Sequence, residues 1–412
     1  MNILLIAQYY PPETGAGATR AEALTRYLSE CGWEIDVISE IPNYPTGIVP
    51  EEYQSGIHFR EKHNGTTVNR LWVWANKRET TLQQMGLFGS YLVSSMLYAL
   101  LNPRKYDFVY ATSPPIFSAL SGCLIAKIYR IPFVLEIRDL WPDAAVGIGK
   151  ITKRSYWYRF GKRLEHWLYK QADVIIPVTH ETGAIIKKDH PGALIHVIQN
   201  GVDLEHFKPI ANPEKVVDES FDDKKFRIGF VGSLGVIHDF KTVIEAAKLC
   251  EIDDDIEFVI IGDGSCRNLL TSLIEEHRPK NVIWLGLKDH EKIPAYISLF
   301  DVGINPVYDI KVFESIITVK FFEYLACEVP VISLARGVMQ QEGDKSKAAL
   351  TLEPENAELL ANTIIELKKD PARLKSMKSH ARSFIHDYYD RKKLTYKLSA
   401  ILKDKFIDQP DK

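Results

Sequence analysis

Cysteine is scarce in this chain. Its five cysteines, Cys31, Cys123, Cys250, Cys266 and Cys327, lie far apart among 412 residues. No two stand at C-x-x-C spacing, which disfavours a structural zinc. Each falls in an apolar or helical context, so reduced, buried thiols in a cytosolic protein are the expectation. Positive charge is not in excess: 51 Lys and Arg face 54 Asp and Glu, for a net charge of -3. A dedicated nucleic-acid binder would be basic, so no nucleic-acid partner is expected. The opening MNILLIAQYY has no basic region and only a short apolar run. It reads as a first β-strand rather than a signal peptide. Long apolar runs are also few. The longest, Met85 to Leu101, is slightly short for a membrane span and is broken by Gly86, Gly89 and serines.

What is present is the composition of a soluble globular protein, 46% hydrophobic and 25% charged. The length suits two domains. Short β-branched runs alternate with helical patterns. NILLIA, EIDVIS, DFVYA, PFVLEI and DVIIPV fall in the first half; FRIGFVG, IEFVIIG, NVIWLG, DVGINP and VPVIS fall in the second. This alternation predicts an α/β fold of two Rossmann-like domains, each a parallel sheet flanked by helices, with an interdomain cleft at the carboxyl ends of the strands. The polar stretch from Asn200 to Lys225 has no clear period and reads as the linker. The predicted domains are residues 1–205 and 206–385, followed by a helix over 386–412. The first domain is one candidate host for that helix.

Three turns offer places for a ligand. After the first strand, Gly15 and Gly17 precede a helix predicted to start near Ala18. Glycines let a ligand approach the backbone, and a helix start presents free N–H groups. An ordinary strand-to-helix turn explains the pattern equally well. The second domain opens alike, with Gly232, Ser233, Gly235 and His238 between strand and helix. The duplication points to a phosphate-bearing ligand. A third turn runs from Gly262 to Gly264, where Asp263 is expected to cap the next helix.

The stretch ITVKFFEYLACEVPVI, Ile317 to Ile332, holds two charged residues in an apolar setting, Lys320 and Glu323. A helix is predicted from about Thr318, as N-cap, to before Pro330. Lys320 then lies in the first turn, where a cation opposes the helix dipole unless an anion binds there. Glu323 lies on the same face roughly 4.5 Å further along the axis, about the step from a diphosphate to its ribose. Its carboxylate can accept from both ribose hydroxyls. The alternative is an i,i+3 ion pair on a half-exposed helix.

These residues belong to a wider pattern. PPETGAGATR, FVLEIRDLWPDA, VIQNGVDLEHFKP, FVGSLG with IEAAK, IIGDG and KFFEYLACEVPVI follow in that order over nearly the whole chain. The set resembles the retaining, nucleotide-sugar-dependent glycosyltransferases of the GT-B fold, in their fourth sequence family. SPP, EIRDLWP and KFFEYLA together are most similar to a subgroup that builds capsule and O-antigen, several of whose members are assigned as amino-sugar transferases of the fucosamine type. The resemblance implies that Gly15 and Gly17 approach the diphosphate or the transferred sugar, Lys320 binds phosphate, and Glu323 binds ribose. Gly232, Ser233, His238 and Gly262 would complete the donor site. Arg138 and Asp139 follow a strand where the family often has a histidine near the sugar; a local salt bridge that also caps the next turn is the alternative. Two departures stand out. Ser233 and His238 occupy positions where the family usually has arginine and lysine, and His238 becomes cationic if phosphate lies beside it. Ser315 stands where the family often has the first of two glutamates, with Glu314 one residue off.

The implied reaction moves a sugar, expected to be N-acetylated and UDP-borne, with retention of configuration. No cofactor and no metal are expected, since Lys320 can replace the cation. The implied acceptor is a lipid-pyrophosphate-linked saccharide bound by the first domain. Lys153 to Lys170 interleaves basic residues with Trp157, Tyr158 and Trp167, which suits either an anionic membrane surface or a packed surface helix. A cytoplasmic protein, peripheral on the inner face of the plasma membrane, is the expected setting. Two alternatives stay open: a GT-B nucleotide-sugar epimerase, and a non-catalytic scaffold of polysaccharide assembly, for which Ser233 and Ser315 speak.

Overall fold

Each of the ten apolar runs forms a strand. The structure, a computed structural model, describes residues 1–408 apart from 14, 45, 79, 148, 150 and 223. It divides into two units. One comprises Met1–Asn200 and the chain from Lys392 onward; the other is Gly201–Arg391. The crossings thus fall at 200/201 and 391/392, rather than after 205 and 385.

The first unit holds β1 (Asn2–Ile6), β2 (Glu34–Glu40), β3 (His58–His63), β4 (Thr66–Leu71), β5 (Phe108–Ser113), β6 (Phe133–Ile137) and β7 (Val174–Pro177). Their order is β3-β4-β2-β1-β5-β6-β7. All pairs are parallel except β3 with β4. Successive residues of β1 serve opposite faces, as a period of two requires. Leu4 and Ile6 enter one core with Val109, Ala111 and Leu135. Ile3 and Leu5 enter the other with Val37, Tyr110 and Val134. β3 and β4 were not among the expected strands. They form a hairpin closed by Asn64 and Gly65, whose φ angles are 48° and 82°, as a two-residue Asn-Gly turn demands.

The C-terminal helix Arg391–Lys403 completes the second of those cores. Leu398 and Leu402 are fully buried in it. Trp33 donates to Ser399 Oγ at 2.8 Å, and the Phe108 and Phe406 rings are 5.0 Å apart. The helix Thr81–Leu101 buries Leu87 and Tyr91 in the other core, while Leu82, Val93, Leu97, Leu100 and Leu101 face outward. Its stretch Leu82–Leu101 is long and apolar enough to cross a membrane by length and composition. That differs from the shorter span expected from Met85, because the helix begins earlier, at a Thr80–Gln83 capping box.

The second unit holds β8 (Phe226–Val231), β9 (Ile256–Ile261), β10 (Val282–Trp284), β11 (Val302–Pro306), β12 (Val331–Leu334) and β13 (Ala349–Leu352). They are ordered β10-β9-β8-β11-β12-β13 and all parallel. The order reverses between β8 and β11, the switch point where such sheets hold ligands beyond their carboxyl ends. The stretch expected as a linker is not a free tether. From Gly201 it packs on the second unit, where Asp218 pairs with Lys292 at 2.6 Å and Ile210 N donates to Ser298 Oγ at 3.0 Å. Its acidic residues meet the basic flank of the helix Ile293–Ser298, which a polar composition alone did not reveal.

Leu398→Ala is expected to destabilise the protein by ~2–5 kcal/mol, the cost of a cavity in a closed core, whereas Tyr388→Ala, at 63% exposure, stays within ~0.5 kcal/mol. Urea unfolding followed by tryptophan fluorescence measures both.

Candidate functional site

The site in the second unit is assembled where β8, β9 and β11 end. Gly232 and Gly262, the glycines that follow β8 and β9, have φ angles of +131° and +136°. A Cβ on Gly262 would lie 1.9 Å from the Gly232 carbonyl oxygen. The two turns therefore touch backbone to backbone, and Leu234 N donates to Asp263 O at 3.0 Å. Asp263 does not cap the following helix as expected. Its carboxylate accepts from Gly264 N at 2.7 Å and pairs with Arg267 at 2.6 Å, and Cys266 holds the N-cap position without a side-chain bond. Ser233 is exposed at the tip of its turn.

The helix Val319–Ala326 brings Lys320 to these turns. It lies close on the sheet because Gly303 of β11 leaves room: a Cβ there would be 2.5 Å from the Tyr324 ring. Tyr324 OH in turn accepts from Val231 N at 2.7 Å. Thr318 occupies the N-cap position, yet its hydroxyl donates to Asn305 Oδ1 at 3.0 Å rather than capping. The expected side-chain cap is thus absent, and the first amides of the helix have no side-chain acceptor of their own.

Lys320 is 7% exposed. Its Nζ lies 2.7 Å from His238 Nε2 and 4.3 Å from the centre of the Phe230 ring. Gly232 is its neighbour, since a Cβ there would be 3.2 Å from Lys320 Cε. Burial lowers the ammonium's pKa to about 7, with Glu323 opposing. His238 is buried, and its Nδ1 is 3.1 Å from the Pro306 carbonyl. Burial first, and the Lys320 charge second, hold its pKa well below the ordinary value. The imidazole is therefore neutral in these surroundings. Glu323 is half-buried one turn on. Burial raises its carboxyl to about 7 against the pull of Arg391 and Lys320. Lys320 and Glu323 form no i,i+3 ion pair; the lysine reaches across to His238 instead. Ser315 donates to Val312 O at 3.1 Å within its own short turn, and Glu314 pairs with Lys311 at 2.8 Å.

The first unit gathers a second group. Gly15 is the N-cap of the helix Ala16–Glu30, with φ +117°. The helix starts two positions before the expected Ala18, so Gly17 lies in its first turn. A Cβ on Gly17 would be 2.0 Å from Arg138 Nη1, so the structure joins Gly17 and Arg138. The Arg138 guanidinium donates to the Pro114 carbonyl, and its Nε is buried without a partner. Arg138 and Asp139 do not form the local salt bridge considered as the alternative. Asp139 instead faces a small pocket with Ile137, Trp141 and Glu165, and burial raises its pKa, with Arg138 pulling it down.

Two buried networks beneath these loops escaped the sequence reading. Arg20 pairs with Glu136 at 2.9 Å, Tyr110 donates to the same carboxylate at 2.7 Å, and Arg20 also reaches Gln199 O at 2.9 Å. Burial opposes ionisation of Glu136, but Arg20 and Tyr110 overcome it and lower its pKa. In the other network Glu13 accepts from Asn43 N and Tyr44 N at 2.9 and 3.0 Å. Glu40 accepts from Gln8 at 2.7 Å, Asn43 at 2.8 Å and Arg78 at 3.3 Å. Burial raises Glu13 to about 7 and, with the charge of Glu13, raises Glu40 to about 8. A charged residue inside an apolar strand, as in FVLEI, was the available signal.

Comparison with known proteins gives a consistent result. Residues 212–384 match the family described as Glycosyl transferases group 1, and residues 15–201 match the Glycosyl transferase 4-like domain. The chain is 26% identical over 309 residues to the putative colanic acid biosynthesis glycosyl transferase WcaI of Escherichia coli, covering 73% of this chain and 75% of WcaI. It is 24% identical over 182 residues to the probable glycosyltransferase WbjE of Pseudomonas aeruginosa, covering 43% and 44%. Among solved structures, sucrose-phosphate synthase from Thermosynechococcus elongatus superposes with a TM-score of 0.78 at 17% identity, covering 98% of each chain. WaaG, a glycosyltransferase involved in lipopolysaccharide biosynthesis, gives 0.70 at 14% identity over 98% of this chain and 100% of WaaG. HepE of Anabaena, in complex with UDP-glucose, gives 0.70 at 15% identity over the same shares.

Gly262→Ala is expected to cost ~1–3 kcal/mol from backbone strain alone, and more from the collision with Gly232. Gly89→Ala, on a helix with open space at the Cβ position, is expected to be neutral or to gain up to ~1 kcal/mol. Thermal unfolding midpoints of the two variants test this.

Proposed function

We propose that the chain, whose residues 212–384 match the group 1 glycosyltransferases and whose fold is GT-B, transfers a sugar from a nucleoside diphosphate donor to a growing surface polysaccharide. The donor reading adopts UDP as the nucleotide and an N-acetylated amino sugar, as in the capsule and O-antigen subgroup it resembles. The acceptor is a lipid-pyrophosphate-linked saccharide, and the anomeric configuration is retained. WcaI and WbjE, both named as glycosyltransferases, and the UDP-glucose complex of HepE support this reading by likeness.

One observation carries it: a buried lysine without a carboxylate partner lies against the glycine turns at the switch point of the second sheet. A cation placed so is a receptor for a polyanion. As the glycosidic bond breaks, negative charge grows on the leaving phosphate while the sugar becomes oxocarbenium-like. Lys320 and the uncapped amides at its helix start stabilise that charge without reorganising. Gly232, Ser233 and Gly262 present backbone to the phosphates. Glu323, one turn on, accepts from the ribose hydroxyls. Lys320 takes the place of a divalent cation, so the reading includes no metal or other cofactor. In the first unit, Gly15, Gly17, Arg138 and Asp139 form the group that meets the transferred sugar or its acceptor. An epimerase would need no acceptor; product formed only when a saccharide acceptor is present separates the two.

The helix Tyr156–Gln171 supports a peripheral membrane role. Tyr156, Trp157 and Phe160 are exposed among exposed Lys153, Arg154, Arg159 and Arg163. Trp167 is not part of that surface, since Lys127 Nζ lies 4.7 Å over its ring. Basic and aromatic residues on one exposed face suit anionic headgroups.

Three outcomes are expected. Lys320→Ala lowers kcat/KM by about 10²–10³, the usual effect of removing one charge-stabilising group. Glu323→Ala raises the donor KM about tenfold, as the loss of a hydrogen bond to a charged group would. Radiolabelled sugar transfer measures both. Vesicles rich in phosphatidylserine retain the protein at low salt and release it at high salt, and Trp157→Ala with Phe160→Ala weakens retention. Wild-type activity in the double variant Lys320→Ala, Glu323→Ala overturns the donor site; failure to sediment with any vesicle overturns the membrane role.

A further inference from the structure

Two basic side chains in the donor site share one hydrogen bond. The Pro306 carbonyl only accepts, so the proton on the His238 ring belongs to Nδ1, 3.1 Å away. Nε2 is then a lone pair, and Lys320 Nζ, 2.7 Å distant, donates to it. While both contacts stand, the pair holds no more than the ammonium's single charge. The imidazole acts as an acceptor that fixes where the Lys320 tip lies, beside Gly232.

Few other charges face this pair. On its own helix there is Glu323, itself under the field of Arg391. On the loop carrying His238 there is Asp239, whose carboxylate is taken up by Thr242 N at 3.1 Å and by the Thr242 hydroxyl. From β8 comes the uncharged Phe230 ring, and from β11 the neutral Asn305. β12 carries no charged residue. The helix Pro371–Tyr388 sends Arg382 to the Ala326 carbonyl, at the opposite end of the lysine's helix. Glu323 favours the ammonium only from a distance, against the larger effect of burial, and among the described residues no carboxylate pairs with it. An arriving diphosphate does.

We propose that His238 is a positioning residue for Lys320 and that the pair takes up a proton as the nucleoside diphosphate binds. The inference rests on the donor-site reading and deepens it. It also gives a physical role to the histidine that stands where the family usually has a lysine: the imidazole supplies an acceptor for Lys320 in place of a second fixed cation. The sign follows from linkage. Below the lysine's titration near 7 the ammonium is already present and binding takes up little. Above it the proton must be acquired with the ligand, so affinity falls about tenfold per pH unit.

Calorimetry in buffers of different ionisation enthalpy tests this, using whichever of UDP, GDP, ADP and dTDP binds tightest. The expected uptake approaches one proton per nucleotide at about pH 8 and falls toward zero at about pH 6. It persists in Glu323→Gln, which removes the neighbouring carboxyl as its source. His238→Gln keeps an acceptor for the ammonium and binds within about threefold of wild type; His238→Leu removes it and weakens binding about tenfold. Binding without uptake at the higher pH overturns the proton linkage. Unchanged affinity in His238→Leu overturns the positioning role. If His238→Leu does not fold, the wild-type uptake and its survival in His238→Gln still decide. No binding by any of the four nucleotides overturns the donor site itself, an outcome distinct from the other two.

Discussion

The desolvation of Lys320 is the constraint on which the proposed donor site depends. A buried ammonium is costly unless something compensates it, and here the compensation is partial: an imidazole lone pair and an aromatic face. The surrounding geometry serves to keep it there. Gly303 lets its helix lie against the sheet, Tyr324 fastens that helix to the β8 backbone, and the turn of Gly232, backed by that of Gly262, lies against the side chain. In the proposed reading, a phosphate beside Lys320 would supply the compensation that burial removed.

The first unit solves a different problem. Its loops after β1, β2 and β6 carry polar and charged groups beneath the surface, and these bond largely to one another, with Arg138 Nε and Glu13 Oε2 among the atoms left over. Arg20 joins its helix to Glu136 of β6 and to the backbone at Ile198 and Gln199. Asn43 bridges Glu13 and Glu40. Removing one member of such a network leaves the others buried and unpaired, which costs more than the bond itself. The glycine turn at Gly15 is thus held from below by side chains, while the turn at Gly232 is held by backbone against backbone.

Much of the architecture was legible because both sheets are covered on each face. Ten of the thirteen described strands are continuous apolar runs that can be read in the sequence. The hairpin β3–β4 was missed because its strands are polar and alternating; the Asn64-Gly65 pair was its readable mark. The first helix begins two positions before the expected Ala18, with Gly15 as its N-cap, and the apolar run from Met85 belongs to a helix that begins four residues earlier, at Thr81, behind a capping box. At the site, Lys320 stood out because a charge in an apolar helix is anomalous. Its partner could not be read, since His238 is remote in sequence and meets it only through the β8–β11 switch. Thr318 and Asp263 show a related limit: residue type predicted a cap, but Asn305 took the Thr318 hydroxyl, and the local Gly264 N and Arg267 took the Asp263 carboxylate.

The placement of the last helix has a consequence for the order in which the molecule is made. Leu398 and Leu402 complete a core whose other walls come from the sheet, β1, β2 and β5 among its strands, and from Ala21, Leu24 and Leu28 of the helix Ala16–Glu30. On the ribosome those strands wait, with this apolar face covered only in part by the helix Ala16–Glu30, while the whole of Gly201–Arg391 is synthesised. The second unit, continuous in sequence, holds all its own residues by then and is free to fold ahead of the domain that precedes it. In this chain the N-terminal half is begun first and finished last.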